Sequence, residues 1–278
     1  MTARSALASA AERLGSAGCE SPRVDAEILL AHVLGGSRSE LLADLDREVP
    51  KGRGDELERL LARREQREPL AYVLGEWGFR RLRLTVDPRV LVPRPETEAV
   101  VERCLALLEQ LEKPRVLDVG TGSGAIALAI ADEHPGARVT GIDASADALA
   151  VAWGNVVRTG LAVELRHWDL FDGLPAGPWD LVVSNPPYVR PDEIDRLEPE
   201  VRAWEPRAAL VGENATEAVA VAALQALRPG GALVLEVADG EAPRIATLLG
   251  GLGYRGVAIT EDLSGRQRVV EATGPPPG

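Results

Sequence analysis

The run Val116-Leu117-Asp118-Val119-Gly120-Thr121-Gly122-Ser123-Gly124-Ala125 limits the fold of this chain more than any other segment. Aliphatic residues before the first glycine suit a strand buried on both faces. The glycines then allow a sharp turn and let a ligand approach the backbone without meeting a Cβ. The alanine-rich stretch that follows favours helix, and a helix N-terminus offers unpaired N–H groups and the positive end of a dipole. A strand, glycine loop and helix in this order predict an open, mostly parallel sheet with a ligand in the crevice beyond its strand ends.

The flanking sequence extends that pattern. Candidate strands lie at 115–119, 138–142, 163–167, 181–184, 232–237, 254–261 and 267–272, with helical segments between most of them. The last two are separated only by Asp262-Leu263-Ser264-Gly265-Arg266, too short for a crossover helix, so an antiparallel hairpin is expected at the end of the sheet. The fold class is therefore α/β and Rossmann-like, with a mostly parallel seven-stranded sheet. The strand ending at Ser184 is expected beside the strand ending at Val119.

The first 75 residues read as a small helical bundle. Thr2 caps a helix running to about Arg13, and Ser21-Pro22 opens a second, since proline at the first helical position forfeits no hydrogen bond. Val24, Ile28, Ala31 and Leu34 share one face of that helix, and Gly35-Gly36 end it. A short helix is expected at 39–45, and another at 55–67 with Leu57, Leu60 and Leu61 as its apolar stripe. Phe79, Leu82, Leu84 and Val86 then suggest a hairpin, Pro88, Pro93 and Pro95 a linker, and 96–111 a helix. The expected organisation is 1–75 as a helical substrate-recognition domain, 76–95 as a β-hairpin linker, 96–273 as the catalytic domain and 274–278 as a disordered tail. The five tryptophans are expected in the core or at sheet edges.

Composition removes several classes of function. The formal net charge is −12, so a protein whose main task is gripping nucleic-acid phosphates is disfavoured. Only 11 basic against 13 acidic residues fall in the first 75, so most of the excess acid sits on the larger part. Cys19 and Cys104 form no metal-ligand spacing, His32, His134 and His167 form no pair, and no metal site is expected. No apolar run suits a membrane span, and a cytoplasmic monomer is expected.

The glycine loop alone does not choose its ligand. Gly120, Gly122 and Ala125 satisfy the looser GxGxxA pattern of dinucleotide sites, and Asp143 follows at ribose-binding distance, so NAD and other adenosine-containing ligands both fit. Asp143 has helix capping as its structural alternative. Asp169, at the end of the third strand, is a candidate acceptor for an adenine amino group or an ordinary strand-end acid. No GxxxxGK[ST] run is present, which excludes a triphosphatase loop of that kind.

Asn185-Pro186-Pro187-Tyr188 narrows the chemistry. Two prolines in succession fix two φ angles and remove two N–H donors. Acceptors remain, namely the Asn185 side-chain oxygen and the Pro186 carbonyl, with the Tyr188 ring beside them. Such a set holds a planar NH₂ group toward an electrophile and stabilises charge that develops on its nitrogen. The reaction this favours is methyl transfer from a sulfonium to an amide or aromatic amino nitrogen.

The chain resembles the S-adenosylmethionine-dependent release factor glutamine N5-methyltransferases. The resemblance runs through the segments at 67–75 (Arg-Glu-Pro-Leu-Ala-Tyr-Val-Leu-Gly), 91–98 (Leu-Val-Pro-Arg-Pro-Glu-Thr-Glu), 205–210 and 262–268, besides the glycine loop and Asn-Pro-Pro-Tyr. It implies methylation of the glutamine in the Gly-Gly-Gln loop of peptide chain release factors. It assigns Gly120, Thr121, Gly122, Ser123, Gly124, Asp143, Asp169, Leu170 and Asn185 to S-adenosylmethionine. Asn185, Pro186, Pro187 and Tyr188 go to the glutamine, with Asn185, Pro186 and Tyr188 catalytic. The sequence departs from the family at Leu170, where an aromatic residue is usual, and at Ala238 and Glu241 after Glu236, where glycine and glutamine are usual. Arg94 and Glu96 either close over the methionine end of the cofactor, position the substrate loop, or form a salt-bridged linker. Two rival substrates remain at this point: a ribosomal-protein glutamine, and an adenine N6 or guanine N2 of nucleic acid. The acid excess weighs against the second, since an enzyme that extrudes a base needs a basic duplex-binding surface.

Overall fold

In a computed structural model, which describes residues 1–276, the chain divides into two compact units: Met1–Glu76 with Leu197–Trp204, and Trp77–Arg196 with the chain from Glu205 onward. The first unit begins with α1 (Ala3–Ser16), α2 (Pro22–Leu34), α3 (Arg38–Ala43), α4 (Arg53–Glu65) and α5 (Leu70–Leu74). Thr2 caps α1 by accepting from the Ser5 N–H, and Ser37 and Glu40 form a reciprocal capping box at α3. The apolar face of α2 differs from the expected one. Val24 is exposed, whereas Ala26, Leu29, Leu30 and Val33 are buried against α1 and α4, a stripe displaced around the helix. Leu57 and Leu61 of α4 are buried as expected.

The second unit holds the sheet. β1 (Glu76–Phe79) begins at its boundary and pairs with β2 (Leu82–Thr85) in a separate two-stranded sheet. There follow α6 (Thr97–Leu108), β3 (Arg115–Val119), α7 (Ala125–Glu133), β4 (Arg138–Asp143), α8 (Ala146–Thr159), β5 (Val163–His167) and β6 (Trp179–Ser184). The chain then passes through α9 (Pro199–Trp204), which clusters with the first unit, and returns as α10 (Arg207–Leu210), α11 (Ala215–Ala226), β7 (Leu227–Glu236), α12 (Ala242–Gly251), β8 (Arg255–Glu261) and β9 (Gln267–Thr273).

The strand order is β5-β4-β3-β6-β7-β9-β8, with β3, β4, β5, β6 and β7 parallel and β9 antiparallel to both β7 and β8. The order reverses at β3, whose neighbours are β4 on one side and β6 on the other, so the ligand crevice of such a sheet falls at these strand ends. Side chains alternate across the sheet. Val116, Leu181, Val183 and Val234 pack with α6 and α7, while Leu117, Val119, Val182 and Leu233 pack with α11 and α12.

β6 and β7 start earlier than the apolar runs suggest. Trp179 is buried and pairs with Leu227 across an irregularity between Trp179 and Leu181, and Pro229 in β7 falls in this irregular end. The helix expected over 96–111 ends at Leu108. Trp153 contradicts the expectation of a packing role, being 64% exposed on α8. Gly274, the first residue of the expected disordered tail, donates its N–H to Gly231 at 2.8 Å, and Pro277 and Gly278 lie outside the described residues. Among the described residues no helix is long and apolar enough to cross a membrane.

The first unit contains a buried charge cluster. Arg64 on α4, with its side chain 7% exposed, donates to Asp25 of α2 at 2.8 Å and pairs with Glu200 of α9 at 2.8 Å. Arg67 adds a two-pronged bond to the same Glu200, at 2.7 and 2.6 Å. Removing one member strands a buried opposite charge, so Arg64→Ala is expected to destabilise the protein by about 3–5 kcal/mol. Equilibrium denaturation of the variant checks this figure; a loss below about 1 kcal/mol, the value of an exposed pair, would reduce the cluster to a surface feature.

Candidate active site

The glycine loop is fixed from below and from one side. The N–H groups of Gly120 and Thr121 both donate to the Ile142 carbonyl at 2.9 Å, which ties the turn after β3 to the end of β4. The Thr121 hydroxyl donates to Asp118 Oδ2 at 2.6 Å, and the Ala127 N–H at the start of α7 donates to the same oxygen at 3.2 Å. Gly120, Gly122 and Gly124 have φ of 73°, 56° and 82°, a region that strains other residues. Gly141 on β4 is needed for a different reason: a Cβ there would lie 2.7 Å from Thr121 Oγ1. Burial pushes the Asp118 carboxyl up to about 7, against the lowering effect of its two donors.

Asp143 lies at the end of β4 and braces the loop. Its Oδ2 accepts from the Gly122 N–H and its Oδ1 from the Ser145 N–H, both at 2.9 Å. The buried Asn155 of α8 ties the same loop to β2: it donates to the Ser123 and Thr85 carbonyls at 2.9 and 3.0 Å and accepts from the Thr85 N–H at 2.7 Å.

The Asn-Pro-Pro-Tyr turn leaves β6 directly beside this loop. Ser184 Oγ donates to the Val119 carbonyl at 2.7 Å, joining the last residues of β6 and β3. Asn185 Nδ2 donates to Thr97 Oγ1 at 3.2 Å, and the Thr97 hydroxyl donates to Glu236 Oε2 at 2.6 Å. The Tyr188 hydroxyl reaches the other Glu236 oxygen at 3.4 Å, a long contact. Burial pushes Glu236 up to about 7, while Thr97, Arg268 and Tyr188 oppose the shift. Burial and the neighbouring Glu236 push the Tyr188 phenol up.

Together these segments line a cavity of about 400 Å³. Gly120, Thr121, Gly122, Ser123, Asp143, Asp169, Leu170, Asn185, Pro186 and Pro187 all border it, so sequence positions from the ends of four strands, β3, β4, β5 and β6, meet there. Gly124 does not border it and instead supplies the left-handed residue before α7. Tyr188 faces a second cavity of about 760 Å³ that shares Gly212 with the first. Asp169 Oδ1 accepts from the Phe171 N–H at 2.9 Å, which caps the short turn after β5.

Arg94 borders the first cavity and donates to both oxygens of Glu205 at 2.7 Å, which is the salt-bridged arrangement. Glu96 borders neither cavity. Leu91, from the segment at 91–98, and Trp168 and Phe171, which belong to no motif, supply apolar surface, and Phe171 is 68% exposed. Thr97 was legible only as a member of the segment at 91–98 and Asn155 only as a helix residue, because their roles depend on partners far away in sequence. For Phe171 a signal existed, since it follows Leu170, the position at which the family resemblance expects an aromatic ring.

The reversal of strand order, the glycine loop under it and a double-proline turn, without the two backbone N–H groups, at the neighbouring strand are those of a Rossmann-like methyltransferase. Residues 5–75 match the PrmC N-terminal domain and residues 102–198 the Methyltransferase small domain. The chain is 39% identical over 276 residues to the release factor glutamine methyltransferase of Caulobacter vibrioides, covering 97% of this chain and 96% of that protein. It is 41% identical over 275 residues to the one from Deinococcus radiodurans, covering 98% of each. The sheet fold is shared with a T. thermophilus 16S rRNA methyltransferase solved with AdoMet and guanosine, at a TM-score of 0.53 and 19% identity, covering 72% of this chain and 49% of that one. The chain belongs to the release factor glutamine methyltransferase family.

Two outcomes follow from the loop geometry. Asp143→Ala removes a carboxylate that holds two backbone N–H groups, so affinity for an adenosine-containing ligand should fall about 10- to 100-fold, read by isothermal titration. Asp118 holds its proton more tightly folded than unfolded, so its contribution to stability is present below its ordinary carboxyl range and is lost as pH rises through about 7. Asp118→Asn should therefore flatten the fall in stability between about pH 4 and 7 by the equivalent of about one proton. Thermal unfolding across that range, variant against parent, gives the difference; identical slopes would refute the assignment.

Proposed function

We propose that this enzyme transfers a methyl group from S-adenosylmethionine to the side-chain amide nitrogen N5 of the glutamine in the Gly-Gly-Gln loop of peptide chain release factors. The observation that carries the reading is the held amide of Asn185. Its Nδ2 is engaged by Thr97 at the rim of the 400 Å³ cavity, which leaves Oδ1 as the atom that accepts.

The residues present fit the cofactor. The cavity has the size of a small-molecule site and a largely apolar lining with few polar groups. The left-handed glycines and the start of α7 suit close backbone approach at one end, and Asp143 and Asp169 offer acceptors to ribose hydroxyls and an adenine amino group. When bound, S-adenosylmethionine supplies an electrophilic methyl group on a cationic sulfur.

The roles of the chain's own residues follow from acceptor chemistry. Asn185 Oδ1 and the Pro186 carbonyl accept the two N–H bonds of the substrate amide, which aims the nitrogen lone pair at the cavity. As the N–C bond forms and the S–C bond breaks, positive charge grows on the nitrogen, and the same two acceptors stabilise it and weaken its remaining N–H for loss to water. Pro186 and Pro187 hold the turn at fixed φ, so the acceptors need little reorganisation. Tyr188 and the larger cavity beside it suit the chain flanking the glutamine. The domain at 1–75, matching the PrmC N-terminal domain, recognises the release factor outside that loop, and the partner is protein with no direct nucleic-acid contact.

Incubation with labelled S-adenosylmethionine and purified release factor, followed by peptide mass spectrometry, tests the proposal. The methyl group should lie on the Gly-Gly-Gln glutamine; label found instead on ribosomal protein or RNA would overturn it. Asn185→Ala should lower kcat by about 100- to 1,000-fold, the size of effect seen when a charge-stabilising partner is removed. Cofactor affinity, followed by titration, should change far less.

A further inference from the structure

Thr97 borders the first cavity and Glu236 borders neither; both are buried, at 4% and 1% exposure, and they end a hydrogen-bond chain that begins at Asn185. A hydroxyl has one proton to give. If that proton points at Glu236, Thr97 can only accept from Asn185, and the atom of the Asn185 amide beside it must be Nδ2. If the proton points at Asn185 instead, the amide must turn and offer Oδ1 to Thr97, leaving its NH₂ toward the substrate. An NH₂ facing an NH₂ cannot hold the glutamine amide.

We infer that Thr97 and Glu236 are positioning residues that set the polarity of the Asn185 amide: ionised Glu236 accepts from Thr97, Thr97 accepts from Asn185, and Asn185 Oδ1 is thereby presented to the substrate. Protonated Glu236 can donate to Thr97, which frees the Thr97 hydroxyl to donate to Asn185 and permits the reversed amide. The inference rests on the proposed reading of Asn185 as the substrate's acceptor. It gives a task to Thr97 in the segment at 91–98 and to the acid that ends β7.

The short 2.6 Å contact between Thr97 Oγ1 and Glu236 Oε2 is the length of a charge-assisted O–H···O bond. The charged and titratable groups that face Glu236 come from three elements besides its own. Arg268 of β9 favours the ionised form, Glu96 at the start of α6 disfavours it, and the Tyr188 phenol donates to it. Arg268 also donates to the Val237 carbonyl at 3.4 Å and lies 3.7 Å from Asp262, so its charge is shared. With burial dominant, the carboxyl titrates near neutrality, about 7, and the competent polarity is favoured above that value. Activity should therefore rise with pH along an acid limb.

The experiment is a pH series of kcat with release factor and cofactor saturating, from about pH 6 to 8.5, on the parent, Thr97→Val, Thr97→Ser and Glu236→Gln. The parent should show a limb of one ionisation. Thr97→Val, which keeps the shape but severs the chain, should lose that limb and about 10- to 100-fold in kcat, with cofactor affinity within about three-fold. Thr97→Ser should restore both limb and rate, and Glu236→Gln, which cannot ionise, should also lose the limb. Thermal unfolding and cofactor titration show that each variant is folded, and where Thr97→Val is not, Glu236→Gln and the parent decide. A parent without the limb, or a limb that persists unshifted in either folded variant, overturns the inference. A parent that methylates no release-factor glutamine overturns the proposed function instead, which keeps the two failures apart.

Discussion

The pairing of β3 with β6 is the constraint on which the rest of this enzyme depends. The two strands are far apart in sequence, and their parallel register carries Val119 opposite Ser184. The Ser184 hydroxyl then donates to the Val119 carbonyl, so the last residue of each strand is fixed to the other. One strand continues into the glycine loop and the other into Asn-Pro-Pro-Tyr. A slip of register by one residue would turn every side chain of β6 to the opposite face. It would put Val182 or Ser184 where Val183 belongs and shift Asn185 along the loop.

Polar groups under the site are held at low dielectric, and this gives the loop its rigidity at some cost. Asp118 and Glu236 are both almost wholly buried, and each accepts from a threonine hydroxyl at 2.6 Å. Neither carboxyl has an arginine directly bonded to it among the described residues, unlike Glu205 with Arg94 or Glu271 with Arg103. The two kinds of acid have different tasks. The paired acids tie the linker to Glu205 and α6 to β9, whereas the hydroxyl-bonded acids are placed where a neutral or ionised carboxyl gives different hydrogen-bond directions.

Much of this arrangement can be read in the sequence because its signals are local. The glycine loop, the double proline and the five-residue gap between β8 and β9 each specify backbone geometry through residues adjacent in the chain. The family resemblance also rests on such short runs. What escaped the sequence depends on distant partners. Thr97 reads as an ordinary first-turn helix residue until β7 brings Glu236 to it, and Asn155 as a mid-helix polar residue until β2 and the loop meet it. The stripe on α2 failed for a related reason: Val24 fits the period of Ile28 and Ala31, but the surfaces of α1 and α4 select Ala26, Leu29, Leu30 and Val33. Local period identifies a helix; its neighbours choose the face.

The excursion at Leu197–Trp204 has a consequence for how this chain can be divided. The helical unit is discontinuous: one of its six helices, α9, is encoded after four strands of the large sheet and held by Arg64 and Arg67 through Glu200. A single cut at Glu76 therefore excises neither unit whole. During synthesis the first five helices emerge well before their sixth, and the buried guanidinium of Arg64 has Asp25 as its charge partner, with the Glu68 carbonyl, until Glu200 arrives. Recombination between relatives at that boundary would exchange five helices while keeping the sixth, so the arginine pair and the glutamate must be inherited together.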